Sequence, residues 1–530
     1  MNIFAAACEE ILEKIMKAGD IDKKAVENIK RQVCEKYQLT YVPSNSMLLS
    51  AGDLKQRVLL RRILLKKPSR SISGVSVIAV MSSPAECPHG RCIYCPGGPS
   101  TNSPQSYTGK EPAALRGAQN SFDPYMQVQS RLNQLRKIGH PVNKVELIIM
   151  GGTFPARELS YQIDFIKSCL DALTESKSKN FTEAKLAAER STVRNVGITF
   201  ETRPDFCKAE HVDRMLELGA TRVEIGVQAI YDDIYNVIRR GHVVEDVIEA
   251  TRIAKDAGLK VCYHIMPGLP GMNFERDLKM FKEIFENNCF KPDMLKIYPC
   301  LVLEGTELHN LWKNNQYQPY STEELIELLV KVMGEIPPWI RIQRFQRDIP
   351  ANLIIAGNRK SDLRTLILDR IDEFKIKTRE IRYREVGHQQ TRYGKSPKPD
   401  QINLKIQSYE ASDGLEIFIS YEDVVEDILI GFLRMRLPSE KSHRREINEC
   451  KTAVIRELHV FGPELEVGVL PAYGWQHKGY GRALIAEAEL LARDVLDCSR
   501  ILVTSGLGVR EYYRRLGYTL LGPYMCKDFN

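Results

Sequence analysis

The chain has 530 residues, 43% of them hydrophobic and 27% charged, which is typical of a globular protein with two or more domains and excludes a disordered or fibrous one. No apolar run is long enough to cross a membrane, and the acidic Glu9 and Glu10 do not fit a secretory leader, so we expect a cytoplasmic protein with no membrane partner. The net charge of +7 is too small for this length to indicate a nucleic-acid partner by itself.

Residues 1–70 predict a helical region with a strongly basic end. Apolar residues recur at helical spacing between Ile11 and Val33, with Lys and Glu between them. Residues 55–70 then combine several cations with apolar residues and contain no acid, so one side can pack on protein while the other faces phosphate. A solvated cationic helix face is the alternative. The candidate phosphate contacts are Lys55, Arg57, Arg61, Arg62, Lys66 and Lys67.

From residue 75 the pattern alternates between strands and amphipathic helices. Strands are predicted at residues 75–81, 145–150, 196–200, 222–227, 260–265 and 294–298, and helices at 160–173, 211–218, 244–257 and 274–285. Six such units predict an α/β fold with parallel strands, arranged either as a closed or partial barrel or as a doubly wound sheet. Chemistry on such folds gathers at the carboxyl ends of the strands, which are polar or rich in glycine in this chain.

Residues 301–400 have a different pattern and are expected to connect two domains. They contain a second cationic group, Arg341, Arg344 and Arg347, which is a further candidate for phosphate binding. Beyond residue 400, strands are predicted at 415–421 and 428–437, as a hairpin, and at 453–461. Residues 401–530 are therefore predicted to form a second domain.

Three cysteines follow the first predicted strand, and their spacing indicates an inorganic centre. Cys87, Cys92 and Cys95 can place three thiolates around one centre and leave a further position open, as catalysis by a cluster or a metal requires. Structural zinc usually takes four protein ligands, and the chain has no second Cys-x-x-Cys. Zinc and plain loop cysteines remain alternatives to an iron–sulfur cluster, and disulfides are disfavoured because most of the thirteen cysteines are isolated in the sequence.

This cysteine loop and the glycine-rich end of the next strand resemble the radical S-adenosylmethionine (radical SAM) superfamily. Four residues separate Cys87 from Cys92, one more than is commonest in that superfamily. The resemblance implies a [4Fe–4S] cluster on the three cysteines, S-adenosylmethionine as cofactor and a partial (β/α)6-type barrel over residues 71–300. It also implies that Gly151, Gly152, Thr153, Glu201 and Gln228 contact S-adenosylmethionine, although a Gly-Gly-Thr sequence alone is more often a turn.

A second motif opens a predicted helix near the carboxyl end. Its glycines let backbone amides approach a pyrophosphate at the helix N-terminus. The pattern resembles the acetyl-coenzyme A signature of the GNAT acetyltransferases, which implies an α+β GNAT domain over residues 401–530; a structural glycine pair is the alternative. The implied contacts are Gln476, His477, Lys478, Gly479, Tyr480, Gly481 and Arg482, with Glu457, Leu458, His459 and Val460 from the preceding strand. Tyr512 and Tyr513 stand where GNAT folds keep a hydroxyl near the thioester sulfur, or pack in the core.

A radical SAM domain followed by a GNAT domain resembles the family of Elongator catalytic subunits, in the form that acts as a single chain in archaea and bacteria. The resemblance covers residues of about 70 to 530 and rests on segments such as 106–112, 201–204, 224–228 and 264–271. Many prokaryotic relatives carry three cysteines and a histidine between the domains. Here those positions hold Thr378, Glu380, Tyr383 and His388, so we predict no zinc there.

The resemblance implies that the chain modifies carbon 5 of the wobble uridine of tRNA with a carboxymethyl-type group from acetyl-coenzyme A. Our hypothesis is that the deoxyadenosyl radical abstracts hydrogen from the acetyl methyl, the carbon radical adds to uracil, and hydrolysis releases coenzyme A. Lys296 and Tyr298 would hold the uracil or the thioester, or else they only pack at a strand end. The anticodon stem–loop would bind with one base out of its stack, and an external donor would supply the electron.

Rival functions remain at this stage. A protein lysine acetyltransferase with a structural radical SAM domain would explain the second motif without using the cysteines. A scaffold in a larger assembly and another radical modification of RNA are further alternatives, and the last does not explain the coenzyme A motif. Self-association and partner subunits stay open.

Overall fold

The N-terminal region is helical, as predicted. The computed structural model describes residues 3–19, 21–53, 56, 60, 63–64, 72–462, 475 and 478–529. Helices α1, α2 and α3 span Ile3–Ala18, Lys23–Lys36 and Asn45–Ala51. Their apolar faces meet around Ala7, Ile11 and Leu48, which are fully buried. The carboxylate of Asp22 caps α2 by accepting a 2.7 Å hydrogen bond from the backbone of Ala25.

A seven-stranded parallel sheet, curled into a half-barrel, forms the radical SAM-like part of the chain. Its strands are β1 (Ser76–Met81), β2 (Lys144–Met150), β3 (Arg194–Thr202), β4 (Ala220–Gln228), β5 (Lys260–Ile265), β6 (Met294–Ile297) and β8 (Arg341–Arg344), in that order. The first six confirm the predicted strands. The seventh was not predicted; it lies in the presumed connecting region and pairs with β6 through Met294 opposite Arg341.

Helices cover the outer face of this sheet. They are α4 (Pro112–Gln119), α5 (Pro124–Lys137), α6 (Leu159–Thr174), α7 (Phe181–Arg190), α8 (Ala209–Glu217), α9 (Asp232–Val237), α10 (Val244–Asp256) and α11 (Phe274–Glu286). The segment after β6 adds β7 (Val302–Leu303), α12 (Glu307–Lys313), α13 (Thr322–Glu335), β9 (Ile354–Ala356), α14 (Leu363–Glu373), α15 (Ile381–Arg384) and α16 (Val386–Tyr393). Strands β7 and β9 pair with each other, so this segment is structured and does more than connect two domains.

The second domain is a mixed seven-stranded sheet. Its strands are β10 (Ile402–Ala411), β11 (Gly414–Asp423), β12 (Ile428–Leu437), β13 (Thr452–Val460), β14 (Arg500–Val503), β15 (Thr519–Leu521) and β16 (Tyr524–Asp528), and the order across the sheet is β10-β11-β12-β13-β14-β16-β15. Its helices are α17 (Arg445–Asn448), α18 (Tyr480–Leu490) and α19 (Arg510–Arg514). A π-helical turn, Leu491–Val495, extends α18. Only β13 and β14 pair in parallel.

The two sheets meet through buried charges as well as apolar contacts. Arg456 of β13 forms two 2.7 Å hydrogen bonds with the carboxylate of Asp293, which precedes β6, and one of 2.5 Å with Glu416. We call the surrounding set the interdomain charge network; its four cations and four carboxylates, all at most 7% exposed, are Lys255, Arg434, Arg436, Arg456, Asp256, Asp293, Glu416 and Glu457. The second domain therefore docks on the amino ends of the half-barrel strands. Among the described residues, none of the helices combines the length and the apolar character needed to cross a membrane.

Candidate active site

The loop after β1 brings the three predicted cysteines together at the carboxyl end of the sheet. Cys92 and Cys95 are 5% and 3% exposed, and Cys87 is half-buried. All three are free thiols, and burial raises the pKa of the Cys87 thiol. A bound positive centre would favour the thiolate form that burial opposes.

Nitrogen groups from the loop itself and from two other segments approach two of these sulfur atoms. His89 Nε2 lies 3.2 Å from Cys92 Sγ, and Arg240 Nη1 donates to the same sulfur at 3.7 Å. Gln105 Nε2 donates to Cys95 Sγ at 3.1 Å. Burial, together with the charge of nearby arginines, lowers the pKa of His89 to about 3, so its ring is neutral near pH 7.

The Gly-Gly-Thr segment after β2 lies directly against the cysteine loop. Gly151 and Gly152 have φ angles of 130° and 89°, which favour glycine, and a Cβ added to Gly151 would lie 2.1 Å from Ser82 Oγ. A Cβ on Gly152 would lie 3.7 Å from Cys87 Sγ, and Thr153 Oγ1 lies 3.9 Å from the same sulfur. Because Gly151 and Gly152 have no side chains, their backbone comes close to the cysteine thiols. This fits a cluster with a small molecule bound at the position that the three cysteines leave open. The predicted contact of these residues with S-adenosylmethionine stays a prediction.

Charged side chains fill the interior of the half-barrel beneath this loop. Lys296 of β6 forms an ion pair with Glu224 of β4, and its Nζ lies 3.6 Å from Glu201 Oε1. Glu224 also bonds His264 at 2.9 Å, and Glu201 accepts a 2.8 Å hydrogen bond from the hydroxyl of Tyr107. Burial is the largest single effect and opposes the charge of Lys296, but Glu224 together with Tyr298 and Glu201 outweighs it, so the lysine pKa is raised. Lys296 is therefore a cation and a hydrogen-bond donor, not a base.

Sequence reasoning did not give roles to Tyr107, Glu224 or His264, although all three lie in segments that carry the family resemblance. The signal that could have found Glu224 is the period-two pattern of β4, where Arg222 and Glu224 point to the same face. Charged residues two apart in a buried parallel strand indicate a polar interior, since such strands are usually apolar throughout.

The predicted Gln228 and Tyr298 also lie at strand ends. Gln228 ends β4 with a φ of 70°, and its Oε1 is buried without a hydrogen-bond partner. The ring of Tyr298 lies 5.3 Å from the ring of His264, in an edge-to-face arrangement, and burial raises the pKa of its hydroxyl. A buried amide oxygen without a partner indicates a place where a ligand donor belongs.

In the second domain, the pairing of β13 with β14 stops where the GNAT resemblance places coenzyme A. Among the described residues, β13 pairs with β14 from Thr452 to Ile455, although β13 continues to Val460. A Cβ added to Gly481 in the first turn of α18 would lie 3.7 Å from Val460 and 3.9 Å from Leu458. The last part of β13 therefore lies next to a helix N-terminus, where backbone N–H groups have no acceptor within the helix.

Side chains of the same stretch point alternately to the two domains. Leu458 and Val460 pack with the second-domain core. Glu457 accepts a 2.8 Å hydrogen bond from Arg434 in the interdomain charge network, and His459 Nε2 lies 2.9 Å from the carbonyl oxygen of Ser73. Only the backbone of Glu457 and His459 is therefore available to a ligand in the cleft.

Two residues of the GNAT-like motif at the start of α18, Gln476 and His477, lie outside the described residues. Gly479 caps α18 with a φ of 89°, which favours glycine. The ammonium of Lys478 lies 4.4 Å from the centre of the Trp475 ring. The ring of Tyr480 packs 5.1 Å from the ring of Tyr421, and the side chain of Arg482 is exposed.

The structure separates the two tyrosines of α19. The hydroxyl oxygen of Tyr512 would lie 3.3 Å from a Cβ on Gly481, so it lies next to the first turn of α18. Tyr513 is 6% exposed and packs against Tyr518 in the second-domain core. The geometry favours Tyr512 for chemistry and core packing for Tyr513.

The predicted phosphate contacts have different positions. Lys55, Arg57, Arg61, Arg62, Lys66 and Lys67 lie outside the described residues. Arg341 forms a 2.6 Å ion pair with the buried Glu385, which argues against the predicted phosphate contact. Arg344 pairs with Asp348 and is half exposed. Its neighbour Arg347 donates to the carbonyl of Ser106.

Arg347 also lines a surface cleft that leads toward the cysteine loop. The outer part of this cleft is lined by Pro299, Leu301, Gln346, Arg347, Arg359 and Lys360, among others. Its inner part shares Pro299, Leu301 and Arg347 and reaches Tyr94, which lies between Cys92 and Cys95 in the sequence. The cleft thus has a cationic rim and ends beside the candidate cluster site.

The four positions compared above with a zinc site, Thr378, Glu380, Tyr383 and His388, hold side chains with other contacts. Glu380 is fully buried, and its carboxylate accepts hydrogen bonds of 2.6 Å from Ile342 N and 2.7 Å from Tyr383 N. Burial lowers the pKa of His388 to about 3, and its Nε2 accepts a hydrogen bond from Arg382. Protein hydrogen bonds therefore join β8 to α15 at this place.

Comparisons with known proteins agree with this arrangement. Family models match the ELP3 N-terminal domain at residues 4–72, the radical SAM superfamily at 82–284, the radical SAM C-terminal domain at 292–373 and the GNAT acetyltransferase family at 383–518. A relative from Methanocaldococcus infernus, described as tRNA uridine(34) acetyltransferase, is 51% identical over 98% of each chain. The chain belongs to the Elongator complex protein 3 family.

Further members of the Elongator complex protein 3 family support this assignment. Human Elongator complex protein 3 is 43% identical and covers 98% of this chain and 95% of its own length. The solved structure of archaeal Elp3 from M. infernus, which lacks its first 46 residues, has a TM-score of 0.77 at 49% identity and covers 86% of this chain and all of its own. The GNAT match begins at residue 383 and not at 401, and the domain boundaries stay predictions.

Proposed function

We propose that this Elongator complex protein 3 family member is an enzyme that modifies carbon 5 of the wobble uridine in tRNA, drawing on acetyl-coenzyme A. The observation that carries the proposal is the joining, in one chain, of a three-cysteine loop at the end of a half-barrel and a GNAT domain in which β13 lies next to the N-terminus of α18. The name of the M. infernus relative, tRNA uridine(34) acetyltransferase, supports the choice of substrate.

The residues around the cysteine loop fit a cluster and its ligand. Cys87, Cys92 and Cys95 would hold a [4Fe–4S] cluster, and Gly151 to Thr153 with Gln228 would hold S-adenosylmethionine through bare backbone and a free amide oxygen. When bound, this pair supplies a carbon-centred radical from one electron, which an external donor provides.

Inside the half-barrel, Lys296 is placed to bind an oxygen of the substrate. Its ammonium stays protonated because Glu224 lies next to it, so it can donate to a uracil or thioester carbonyl. Beside Lys296, the hydroxyl of Tyr107 donates a 2.8 Å hydrogen bond to Glu201, and these two side chains limit where the substrate carbonyl can lie. Tyr298 closes the same end of the barrel.

In the second domain, this chain would bind coenzyme A by its backbone. The stretch from Leu458 to Val460, which lies next to Gly481, would line the pantetheine, and the first turn of α18 would face the pyrophosphate. The hydroxyl of Tyr512, next to Gly481, is placed to donate a proton to the thioester sulfur as it leaves. Its pKa is raised by burial, so it remains protonated.

RNA would bind across the cationic rim of the cleft beside Arg347. Arg359 and Lys360 are exposed there, and the inner end of the cleft lies beside the cysteine loop. A base acted on by an enzyme leaves its stack, and the phosphates on either side of it then need cations. The basic residues between 55 and 70, which lie outside the described residues, would supply further cations to the RNA.

The test is anaerobic. Reconstituted protein receives S-adenosylmethionine, a reductant, unmodified tRNA and acetyl-coenzyme A labelled on the acetyl methyl, and the RNA is digested for mass spectrometry. We expect label on carbon 5 of the wobble uridine. Label that appears on protein lysines and not on RNA would contradict the proposal and favour a protein acetyltransferase.

Two cysteine variants control this experiment. Cys92→Ala removes one cluster ligand and is expected to abolish labelling while tRNA binding persists. Cys289→Ala removes a half-buried thiol far from the loop and is expected to leave labelling unchanged. Equal labelling by both variants would refute the role of the cluster.

A further inference from the structure

The nitrogen groups around the cysteine sulfurs form an unequal arrangement. Cys92 has His89 at 3.2 Å and Arg240 at 3.7 Å, and Cys95 has Gln105 at 3.1 Å. Cys87, on the side of the Gly-Gly-Thr segment, has the hydroxyl of Thr153 at 3.9 Å and no nitrogen donor among the described residues. Nitrogen donors are therefore concentrated on the two sulfurs that are buried most deeply.

Each of these groups is held in place by its own surroundings. Arg240 is fixed by a 2.6 Å hydrogen bond from its Nη2 to the carbonyl of Gly226. A Cβ added to Gly241 would lie 2.8 Å from the Cβ of His89, so the backbone at Gly241 lies directly against this side chain. Gln105 is 6% exposed, and its Oε1 would lie 3.0 Å from a Cβ on Gly98. Close packing therefore restricts the positions that these donors can take.

The direction of the His89 hydrogen bond follows from the chemistry of the ligand. A cysteine that binds iron is a thiolate and can only accept, so Nε2 must carry the ring proton. His89 Nδ1 is buried with no hydrogen-bond partner, and it can remain unprotonated at a lower cost than a buried N–H without an acceptor.

We propose that His89, Gln105 and Arg240 are positioning residues that set the reduction potential of the cluster by hydrogen bonding to Cys92 and Cys95. Reduction adds negative charge, which spreads onto the sulfur ligands. N–H donors and a guanidinium stabilise that charge, so they make the cluster easier to reduce. This inference rests on the proposed cluster, but it concerns residues that touch neither S-adenosylmethionine nor RNA in the proposed function.

The test measures potential and not turnover. The full chain is reconstituted with iron and sulfide, its iron content is determined, and the cluster is titrated with a reductant while electron paramagnetic resonance is recorded, without RNA or acetyl-coenzyme A. We expect Gln105→Leu and His89→Leu each to shift the midpoint potential to a more negative value. His89→Gln, which can place an amide N–H near the position of Nε2, should restore most of the shift.

Controls separate this inference from the proposed function. Gln389→Leu removes a buried glutamine that donates to Tyr383, far from the loop, and should leave the potential unchanged. Gln105→Glu keeps the shape of the side chain but replaces the donor, and its potential should fall further because a negative charge is added. A wild-type chain that takes up no cluster would refute the proposed function.

Two outcomes would overturn the inference alone. One is a full iron content with an unchanged midpoint potential in Gln105→Leu, Gln105→Glu and His89→Leu. The other is loss of iron from all three variants while the Gln389 control retains it, because these residues would then be required for binding and not for potential.

Discussion

Replacing Asp293 with Asn tests how the two domains are joined. Asp293 accepts two hydrogen bonds of 2.7 Å from Arg456 and one of 2.8 Å from Val261 N, and it is fully buried. Asp293→Asn keeps the shape but leaves the interdomain charge network with four cations and three carboxylates. Removing one charge of a buried ion pair destabilises the folded state by about 3–5 kcal/mol, whereas an exposed ion pair stabilises it by at most about 1 kcal/mol. We therefore expect the docking of the domains to weaken by about 3–5 kcal/mol.

Trp339 provides the assay, because its ring stacks 4.1 Å from the ring of Tyr409 across the domain boundary. Urea titrations followed by tryptophan fluorescence should show the transition of Asp293→Asn at a clearly lower urea concentration. Lys255→Met removes the nearby ammonium, 3.8 Å from Asp293, and combined with Asp293→Asn it should recover a large part of the loss. If Asp293→Asn alone destabilised the protein by less than about 1 kcal/mol, the conclusion that these buried charges balance one another would be refuted.

Three further predictions concern catalysis, pH and RNA binding. Tyr512→Phe should slow the release of coenzyme A about 10²-fold in a thiol-release assay, since it removes the proton donor at the cleft, while Tyr513→Phe should change it little; equal effects would contradict this assignment. The carboxyl of Asp277 has a pKa raised to about 7, chiefly by burial, so the folded state holds a proton that the unfolded state has lost, and stability should fall as the pH rises from about 4 to about 7. Thermal melting against pH should show that fall in the wild type and a flatter profile in Asp277→Asn. Lys360→Gln should weaken binding of an anticodon stem–loop and reduce the slope of log affinity against log salt by about 0.7 to 0.9, as measured by fluorescence anisotropy, with the exposed Lys279→Gln as the control that should not change it.

Much of the half-barrel could be predicted because its strands are apolar runs that end in glycine or polar residues. β8 was missed for a physical reason. It is four residues long, and of these only Ile342 is buried, so its sequence has the pattern of a charged loop. β8 forms a strand because it pairs with the edge of β6, about 47 residues earlier in the chain. Pairing with such a distant partner cannot be detected in the local sequence.

The contact between the two domains could not be predicted from the sequence for a similar reason. Arg434 and Arg436 alternate with apolar residues in β12, as in a strand with one face in water, yet they are 1% and 0% exposed. Asp293, whose carboxylate lies 3.7 Å from Arg434, and Asp256, whose carboxylate accepts a hydrogen bond from Arg436, lie in the other domain, 141 and 180 residues away. The donors to the cysteines divide in the same way: His89 lies inside the motif, whereas nothing near Arg240 in the sequence indicates a contact with Cys92.

The alternation along β13 has a consequence for how separable the two halves of this enzyme are. Leu458 and Val460 border the cleft proposed for coenzyme A, while Arg456 and Glu457 are anchored in the interdomain charge network. A fragment that begins at residue 401 would lack the half-barrel carboxylates that pair with Arg434 and Arg436 on β12 and with Arg456 on β13, the strand that shapes the cleft. The acetyltransferase half is therefore not a module that can be cut out or exchanged between proteins, and its evolution is tied to that of the half-barrel on which it rests.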